Sequence, residues 1–133
     1  MIDELREAAR AINEGDPEPF LALFDEDTDW SGEASGPLWR RDTPRCHGVA
    51  EARGVVALST ANRQFPRQVD PEFVQLGAEA VLSVTTLLDA NGVSAERYHV
   101  FIFRGDRIRE MRAFKSRRAA ERFVTQRSRQ GRD

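Results

Sequence analysis

The chain has 133 residues, of which 40% are hydrophobic and 32% are charged, a composition typical of one compact domain. Its one cysteine excludes an internal disulfide and any zinc site built on several cysteines, which indicates either a reducing compartment or a protein indifferent to redox conditions. The sequence has no apolar run of the roughly 18 to 20 residues that span a membrane, and it begins with acidic residues where a secretory signal is basic. We therefore expect a cytoplasmic protein.

The formal net charge is −2, but the charges are unevenly distributed along the chain. Residues 1–35 hold eleven acidic and two basic residues, a net of −9, whereas residues 104–133 hold eleven basic and four acidic residues, a net of +7. We expect the two ends to lie together and neutralise each other; the alternative is an anionic partner for the basic end.

The first part of the chain predicts a helical hairpin. An apolar stripe at helical spacing indicates a helix over residues 2–14, and Gly15 is a typical residue for its C-terminal end. Asp16 is a good N-cap and Pro17 a favoured first helical residue, so a short second helix is expected over residues 17–24.

A strand, a loop and a third helix come next. Residues 28–30 predict a short strand, and residues 31–47 hold two glycines and two prolines, which are too many breakers for a regular element. Gly48 begins a third helix, which we expect to end before Phe65 and Pro66.

The second half of the chain changes from helical spacing to the alternation of β-strands. Four strands separated by short turns are predicted: Val69–Leu76, Ala80–Leu88, Glu96–Arg104 and Arg107–Phe114. Short turns imply that consecutive strands pair antiparallel. A short helix from Ser116 is expected to fade into a basic, disordered tail over residues 125–133. Helices followed by an antiparallel meander predict an α+β fold whose sheet curls around the helices and encloses a pocket.

Several strings occur in an order that resembles a known superfamily. They are Asn13-Glu14-Gly15-Asp16 with Phe20 and Leu23-Phe24, then His47-Gly48, then His99 to Phe103 turning through Gly105-Asp106 into Arg107 to Phe114. In these strings the chain resembles the nuclear transport factor 2-like superfamily, in particular its SnoaL-like and ketosteroid-isomerase-like branch. The resemblance covers about residues 3–124, and we take residues 1–124 as one SnoaL-like domain. It implies a cone-shaped, curved antiparallel sheet wrapped around three N-terminal helices, the nuclear transport factor 2-like or cystatin-like fold.

The resemblance does not carry over the usual catalytic groups. The tyrosine that ketosteroid isomerases place on the first helix falls at Ala8, their aspartate base falls near Gly32, and their strand acid falls at His99. SnoaL-like cyclases carry an aspartate soon after the final strand, where this chain has Lys115 and Ser116. The resemblance therefore implies a pocket more clearly than it implies a reaction.

Alternation on the strand that contains His99 divides its side chains between two faces. One face carries Arg97, His99, Phe101 and Phe103, and the other carries Tyr98, Val100 and Ile102. The resemblance favours the His99 face as the pocket side, where a small, largely apolar organic molecule would bind. The other face would form an exposed apolar patch, so we expect a homodimer that buries it.

Two groups of residues are candidates for this site. His99 is the candidate catalytic acid or base, with Asp29 or alternatively Glu33 as its partner; a ligand-orienting contact and a core histidine are the alternatives. The candidate ligand-binding residues are Trp30, Trp39, His47, Phe101, Phe103, Met111 and Ala113.

The function that follows is small-molecule binding, with isomerase, cyclase or hydratase chemistry by general acid-base catalysis as its enzymatic form. The alternative is a non-catalytic ligand-binding or dimerisation domain. We predict no metal and no cofactor, because the two histidines have no carboxylate at a ligand spacing. The arginine-rich end lacks interleaved aromatic residues, so neither nucleic acid nor a membrane is an expected partner.

Overall fold

The computed structural model describes residues 1–32, 46–61, 67–88, 92 and 94–130. It contains four helices and six strands within these residues. In chain order they are α1 (Ile2–Asn13), α2 (Glu18–Leu21), β1 (Phe24–Gly32), β2 (Cys46–His47), α3 (Gly48–Ala61), β3 (Arg67–Gln75), β4 (Ala80–Leu88), β5 (Ser94–Arg104), β6 (Arg107–Phe114) and α4 (Arg117–Gln130).

The strands form one curved sheet in the order β2-β1-β6-β5-β4-β3. The meander from β3 to β6 pairs antiparallel throughout, as the short turns predict. Beyond β6 the sheet continues with β1, which pairs parallel to β6, and with β2, which pairs antiparallel to β1. The α+β architecture predicted from the sequence is confirmed.

Helix α1 forms because its apolar residues recur on one side, which packs onto the sheet. Leu5, Ala8, Ala9 and Ala11 are buried, and the helix ends before Gly15, which adopts φ +86. At its last residue the Asn13 side chain is bound to the backbone of β3: Nδ2 donates to the Gln68 carbonyl at 2.7 Å, and Oδ1 accepts from the Gln68 amide at 2.8 Å. These two bonds fix the end of the helix to the edge of the sheet.

Two local predictions are corrected around β1. The second helix ends at Leu21, because Phe24 already belongs to β1 and pairs with Ile108. The predicted loop over residues 31–47 is also shorter, because Cys46 and His47 pair with β1 as the strand β2. Residues 33–45, which include Trp39, lie outside the described part of the chain.

Helix α3 begins where the backbone must turn sharply away from β2. Gly48 has φ +85, and a Cβ at this position would lie 2.7 Å from the carbonyl oxygen of Glu26. Both the left-handed conformation and the close approach of β1 require glycine here.

The inner face of the sheet holds the larger core, between the sheet and helices α1, α2 and α3. Its buried members include Trp30, Val56, Phe101, Phe103 and Ile108. The predicted register of β5 therefore agrees with the structure, since Phe101 and Phe103 point to the helical side.

The outer face is covered by the C-terminal helix, which the sequence predicted as a short helix with a disordered end. Helix α4 runs to Gln130, and Ala120 packs against Leu82, Val100 and Ile102 in a second buried cluster. The tail is thus helical beyond residue 124, and Val100 and Ile102 are buried within one chain. The exposed patch that motivated the homodimer does not exist at these two residues, so the homodimer stays a prediction without that support.

The oppositely charged ends come together only in part. Acidic β1 lies beside basic β6, as expected, and Arg107 Nη1 donates to the Ala22 carbonyl. Helices α1 and α4, however, pack on opposite faces of the sheet. No helix among the described residues is long and apolar enough to cross a membrane.

Candidate functional site

A cavity of about 80 Å³ lies between helix α1 and the inner face of the sheet. This is more space than one water molecule needs, and it suits a compact organic group. The cavity is lined by Leu5, Ala8, Ala9, Ile12, Phe20, Trp30, Gln68, Phe73, Ser83, Thr85, Leu87, Arg97, His99, Phe101 and Met111.

The helical wall of the cavity is wholly apolar. The side chains from α1 are Leu5, Ala8, Ala9 and Ile12, which recur at helical spacing on one side. The small side chains of Ala8 and Ala9 leave space for a ligand. None of the four side chains can donate or accept a hydrogen bond. Any polar recognition must therefore come from the sheet.

Four of the polar side chains on the sheet side of the lining come from two adjacent strands, β4 and β5. In the antiparallel register of β4 and β5, Ser83 pairs with His99 and Thr85 pairs with Arg97. Side chains directly opposite each other on one face lie about 5 Å apart at Cβ, so these four form one polar group on the lining. Ser83, Thr85 and Arg97 are each 4% exposed.

His99 is a neutral imidazole at neutral pH. Burial, and to a smaller extent the positive charge of Arg97, lower the pKa of His99 to about 4. A neutral imidazole has one N–H donor and one acceptor nitrogen. A base whose conjugate acid has a pKa near 4 takes up protons weakly at pH 7, so His99 is better suited to hydrogen bonding than to general base catalysis.

Among the lining residues that the structure describes, Arg97 is the one with a charged side chain, and it was not predicted as a site residue. Alternation had placed it on the same face as His99, and a charged residue at an inward position of a strand was the available signal. Its Nη1 donates to the Glu96 carbonyl at 3.2 Å. Burial lowers the pKa of Arg97, but an arginine stays protonated in proteins.

Trp30 brings a buried hydrogen-bond donor to the lining. The residue is 5% exposed, and its indole Nε1 has no hydrogen-bond partner among the residues that the structure describes. The ring is held edge-on by Phe20 and Phe24, with centroid distances of 5.9 and 6.0 Å. A buried N–H without an acceptor is costly, and most such groups in proteins have a partner.

Asp29 does not lie in the cavity, which corrects the predicted pairing with His99. Side chains alternate along β1, so the inward position of Trp30 directs Asp29 outward, where its side chain is 64% exposed. Asp29 Oδ1 lies 2.7 Å from Nδ1 of His47, which is 62% exposed. The hydrogen bond to Asp29 and its negative charge raise the pKa of His47.

The remaining predicted ligand-binding residues divide into two groups. Phe101 and Met111 lie on the cavity lining, whereas Phe103 and Ala113 are buried and do not line it. His47 is on the exterior with Asp29. The structure therefore brings Trp30, His99, Phe101 and Met111 together, and the other candidates that it describes lie elsewhere.

Cys46 and the acidic residues form no further reactive site. Burial raises the pKa of the Cys46 thiol, which keeps it protonated and unreactive. Across the described ranges no group of three or more histidine, cysteine and acidic residues is placed to hold a metal ion.

No protein-family model and no curated protein matches the sequence. Solved structures do match. A nuclear transport factor 2-like protein of unknown function from Burkholderia pseudomallei is 21% identical, covers 93% of this chain and 96% of its own, and has a TM-score of 0.63. TerC, co-crystallised with polyporic acid, is 16% identical, with coverages of 93% and 97% and a TM-score of 0.65.

A putative SnoaL-like polyketide cyclase from Mesorhizobium loti is 12% identical, with coverages of 85% of this chain and 97% of its own and a TM-score of 0.51. At these identities the similarity establishes the fold. The chain has the nuclear transport factor 2-like fold, as its strings predicted. A fold of this kind serves many functions, so the function has to be argued from the cavity.

Proposed function

We propose that the protein binds a small, largely apolar organic molecule in the cavity between α1 and the sheet. The observation that carries this proposal is the composition of the lining: an apolar helical wall and aromatic side chains face a few buried polar groups on β4 and β5. Small-molecule sites in proteins are typically built this way, with apolar walls for affinity and a few polar groups for orientation.

The cavity opens to the protein surface, which supports the same proposal. Ile12, Gln68 and Phe73 line the cavity and are partly exposed, so the lining reaches the surface between α1 and the edge strand β3. The cavity volume of about 80 Å³ suits a compact group, and a larger ligand would extend through this entrance. TerC, a protein of the same fold, was co-crystallised with polyporic acid, which agrees with an organic ligand.

Binding without acid-base catalysis is the better supported of the two functions that the sequence leaves open. The proposed base, His99, has a pKa lowered to about 4, and its proposed partner Asp29 points away from the cavity. With neither group placed for proton transfer at neutral pH, we assign His99 the role of orienting the ligand.

The test is a titration of the purified protein with benzyl alcohol and with benzoate, followed by calorimetry. At least one of the two probes should bind. Ala8→Leu places three more carbon atoms at the helical wall and should abolish that binding while the circular dichroism spectrum stays unchanged. The control, Ala50→Leu, makes the same change at an exposed position of α3. Failure of both probes, or unchanged binding to Ala8→Leu, would contradict the proposal.

A further inference from the structure

We propose that the ligand of this cavity carries a hydroxyl group that bridges the side chains of Ser83 and His99, accepting a hydrogen bond from one and donating a hydrogen bond to the other. This inference rests on the proposed function, since it names the chemical group by which the molecule in the same cavity is oriented. It adds Ser83 as a residue that determines specificity, and it assigns the site a neutral ligand.

The strand register places Ser83 and His99 directly opposite each other. Ser83 of β4 pairs with His99 of β5, and both residues line the cavity. Opposite residues on one face of a sheet have Cβ atoms about 5 Å apart. An oxygen atom that makes two hydrogen bonds of ~2.8 Å can join polar atoms that lie up to about 5.6 Å apart. One ligand oxygen can therefore contact both side chains.

Both side chains are available to a ligand. Neither Ser83 Oγ nor a ring nitrogen of His99 has a hydrogen bond to another residue that the structure describes, so the two are not bonded to each other either. These atoms are also not enclosed, unlike Trp30 Nε1, which has almost no accessible surface. Because both residues line the cavity, the surface that they retain faces it.

The two side chains together offer a donor and an acceptor, and neither is charged. A serine hydroxyl donates one hydrogen bond and accepts others, and a neutral imidazole has one N–H and one acceptor nitrogen. His99 is neutral at pH 7, because burial and the charge of Arg97 lower its pKa to about 4. A ligand hydroxyl makes both kinds of bond at once, whereas a carbonyl oxygen only accepts and an apolar group does neither.

A charged group fits these atoms less well. A buried carboxylate or ammonium needs an opposite charge in contact with it, and neither Ser83 nor His99 supplies one. Arg97 does not supply one either, because its Nε and Nη2 atoms are enclosed and its Nη1 donates to the Glu96 carbonyl. Thr85, two residues along β4 from Ser83, adds a further neutral hydroxyl to the lining.

The test measures the affinities of benzyl alcohol, ethylbenzene and benzoate by calorimetry at pH 7. Benzyl alcohol and ethylbenzene have nearly the same size, and only the first has a hydroxyl. A change in the ratio of their affinities between two protein variants therefore reports the hydrogen bonds alone. We expect Ser83→Ala to lower the affinity of benzyl alcohol relative to ethylbenzene about tenfold, as the loss of one hydrogen bond allows. Benzoate should bind more weakly than benzyl alcohol.

Further variants assign the second half of the bridge. His99→Leu removes the imidazole and should lower the same ratio by a similar factor. His99→Asn, which keeps a donor and an acceptor, should retain part of the preference. The control, Ser94→Ala, removes an exposed hydroxyl at the start of β5 and should leave all three affinities unchanged.

The outcomes separate this inference from the proposed function. An affinity ratio in Ser83→Ala and His99→Leu that equals that of the unaltered protein, or tighter binding of benzoate than of benzyl alcohol, would overturn the inference while ligand binding stands. If no probe binds, both proposals fail. Should His99→Leu fail to fold, Ser83→Ala and the three probes on the unaltered protein still decide between these results.

Discussion

The side chains of Arg112 and Phe123 join the C-terminal helix to the sheet. The guanidinium carbon of Arg112, on β6, lies 4.8 Å from the centroid of the Phe123 ring, and the Phe114 ring lies 5.3 Å from it, centroid to centroid. Beside them, Arg127 of α4 forms an ion pair of 2.9 Å with Glu110 of β6. Helix α4 is therefore attached to β6 by three kinds of contact: a contact between two aromatic rings, a cation over an aromatic ring, and a partly buried ion pair.

Phe123→Ala should therefore destabilise the protein by about 1 to 2 kcal/mol, less than a fully buried phenylalanine because the residue is only partly buried. Urea denaturation of the variant and the unaltered protein gives this difference. Arg122→Ala, an exposed neighbour on the same helix, serves as the control and should change the free energy of unfolding little. Equal stability of all three proteins would mean that the contacts of Phe123 contribute nothing to the stability of the fold.

The pKa of His99 predicts an acid-dependent loss of stability. The folded imidazole has a pKa of about 4, against about 6.5 when unfolded, so between these values the unfolded chain binds a proton that the folded chain does not. Lowering the pH from 6.5 to 4 therefore decreases the free energy of unfolding. At pH 4 the decrease reaches roughly 3 kcal/mol.

His99→Asn removes this contribution and leaves the acid sensitivity of the carboxylates in place. We expect the stability of the unaltered protein to fall more steeply between pH 6.5 and pH 4 than that of the variant, as measured by denaturant unfolding at each pH. Parallel curves for the two proteins would show that the imidazole titrates normally in the folded state.

The pKa of His47 should be raised and should depend on Asp29. In the variant Asp29→Asn it should fall towards its ordinary value, because both the hydrogen bond and the charge of the carboxylate are lost. Nuclear magnetic resonance titration of the imidazole measures this directly. The pair stabilises the fold below the ordinary pKa and loses this effect as the pH rises through the raised value. A His47 pKa that does not respond to the substitution would mean that the two side chains do not interact in solution.

Two glycines of the same helix should respond in opposite directions to substitution by alanine. Gly48→Ala should cost at least about 2 kcal/mol, because φ is +85 and the added Cβ would meet the Glu26 carbonyl. Gly54→Ala, inside α3 with open space around it, should stabilise the protein by roughly 0.5 to 1 kcal/mol. Thermal melting distinguishes them, and equal shifts would contradict the backbone conformation at Gly48.

The strands of the meander could be predicted from the sequence because their signals are local. The bounds of β4 and β6 agree with Ala80–Leu88 and Arg107–Phe114, since alternation and turn residues are read within a few positions. The strand β2 could not be predicted, because two residues have no period and Cys46 and His47 are extended only by pairing with β1. Helix α4 was underestimated because its apolar residues are few, and their burial depends on an outer sheet face that no local pattern identifies.

Part of the site could also be predicted, because alternation along a strand is a local signal. Alternation placed His99 and Phe101 on one face, the resemblance favoured that face as the pocket side, and the structure brings both residues to the cavity. The same rule, applied to β1, would have directed Asp29 outward once Trp30 was taken as inward. Arg97 was on the same face as His99, but its burial depends on the packing of the whole sheet, which alternation along one strand does not reveal.

The bonds between Asn13 and Gln68 also bear on how the protein avoids aggregation. Strand β3 is an edge of the sheet, and an edge strand offers unpaired amides and carbonyls to which a strand of another molecule can add. The Asn13 side chain occupies both backbone groups of Gln68, and a few residues further on the pairing is interrupted at Asp70, with φ +47, next to Pro71, which has no amide hydrogen. A strand of another molecule would meet occupied backbone groups at Gln68 and a bent backbone at Asp70 and Pro71, so this stretch of β3 disfavours intermolecular sheet extension.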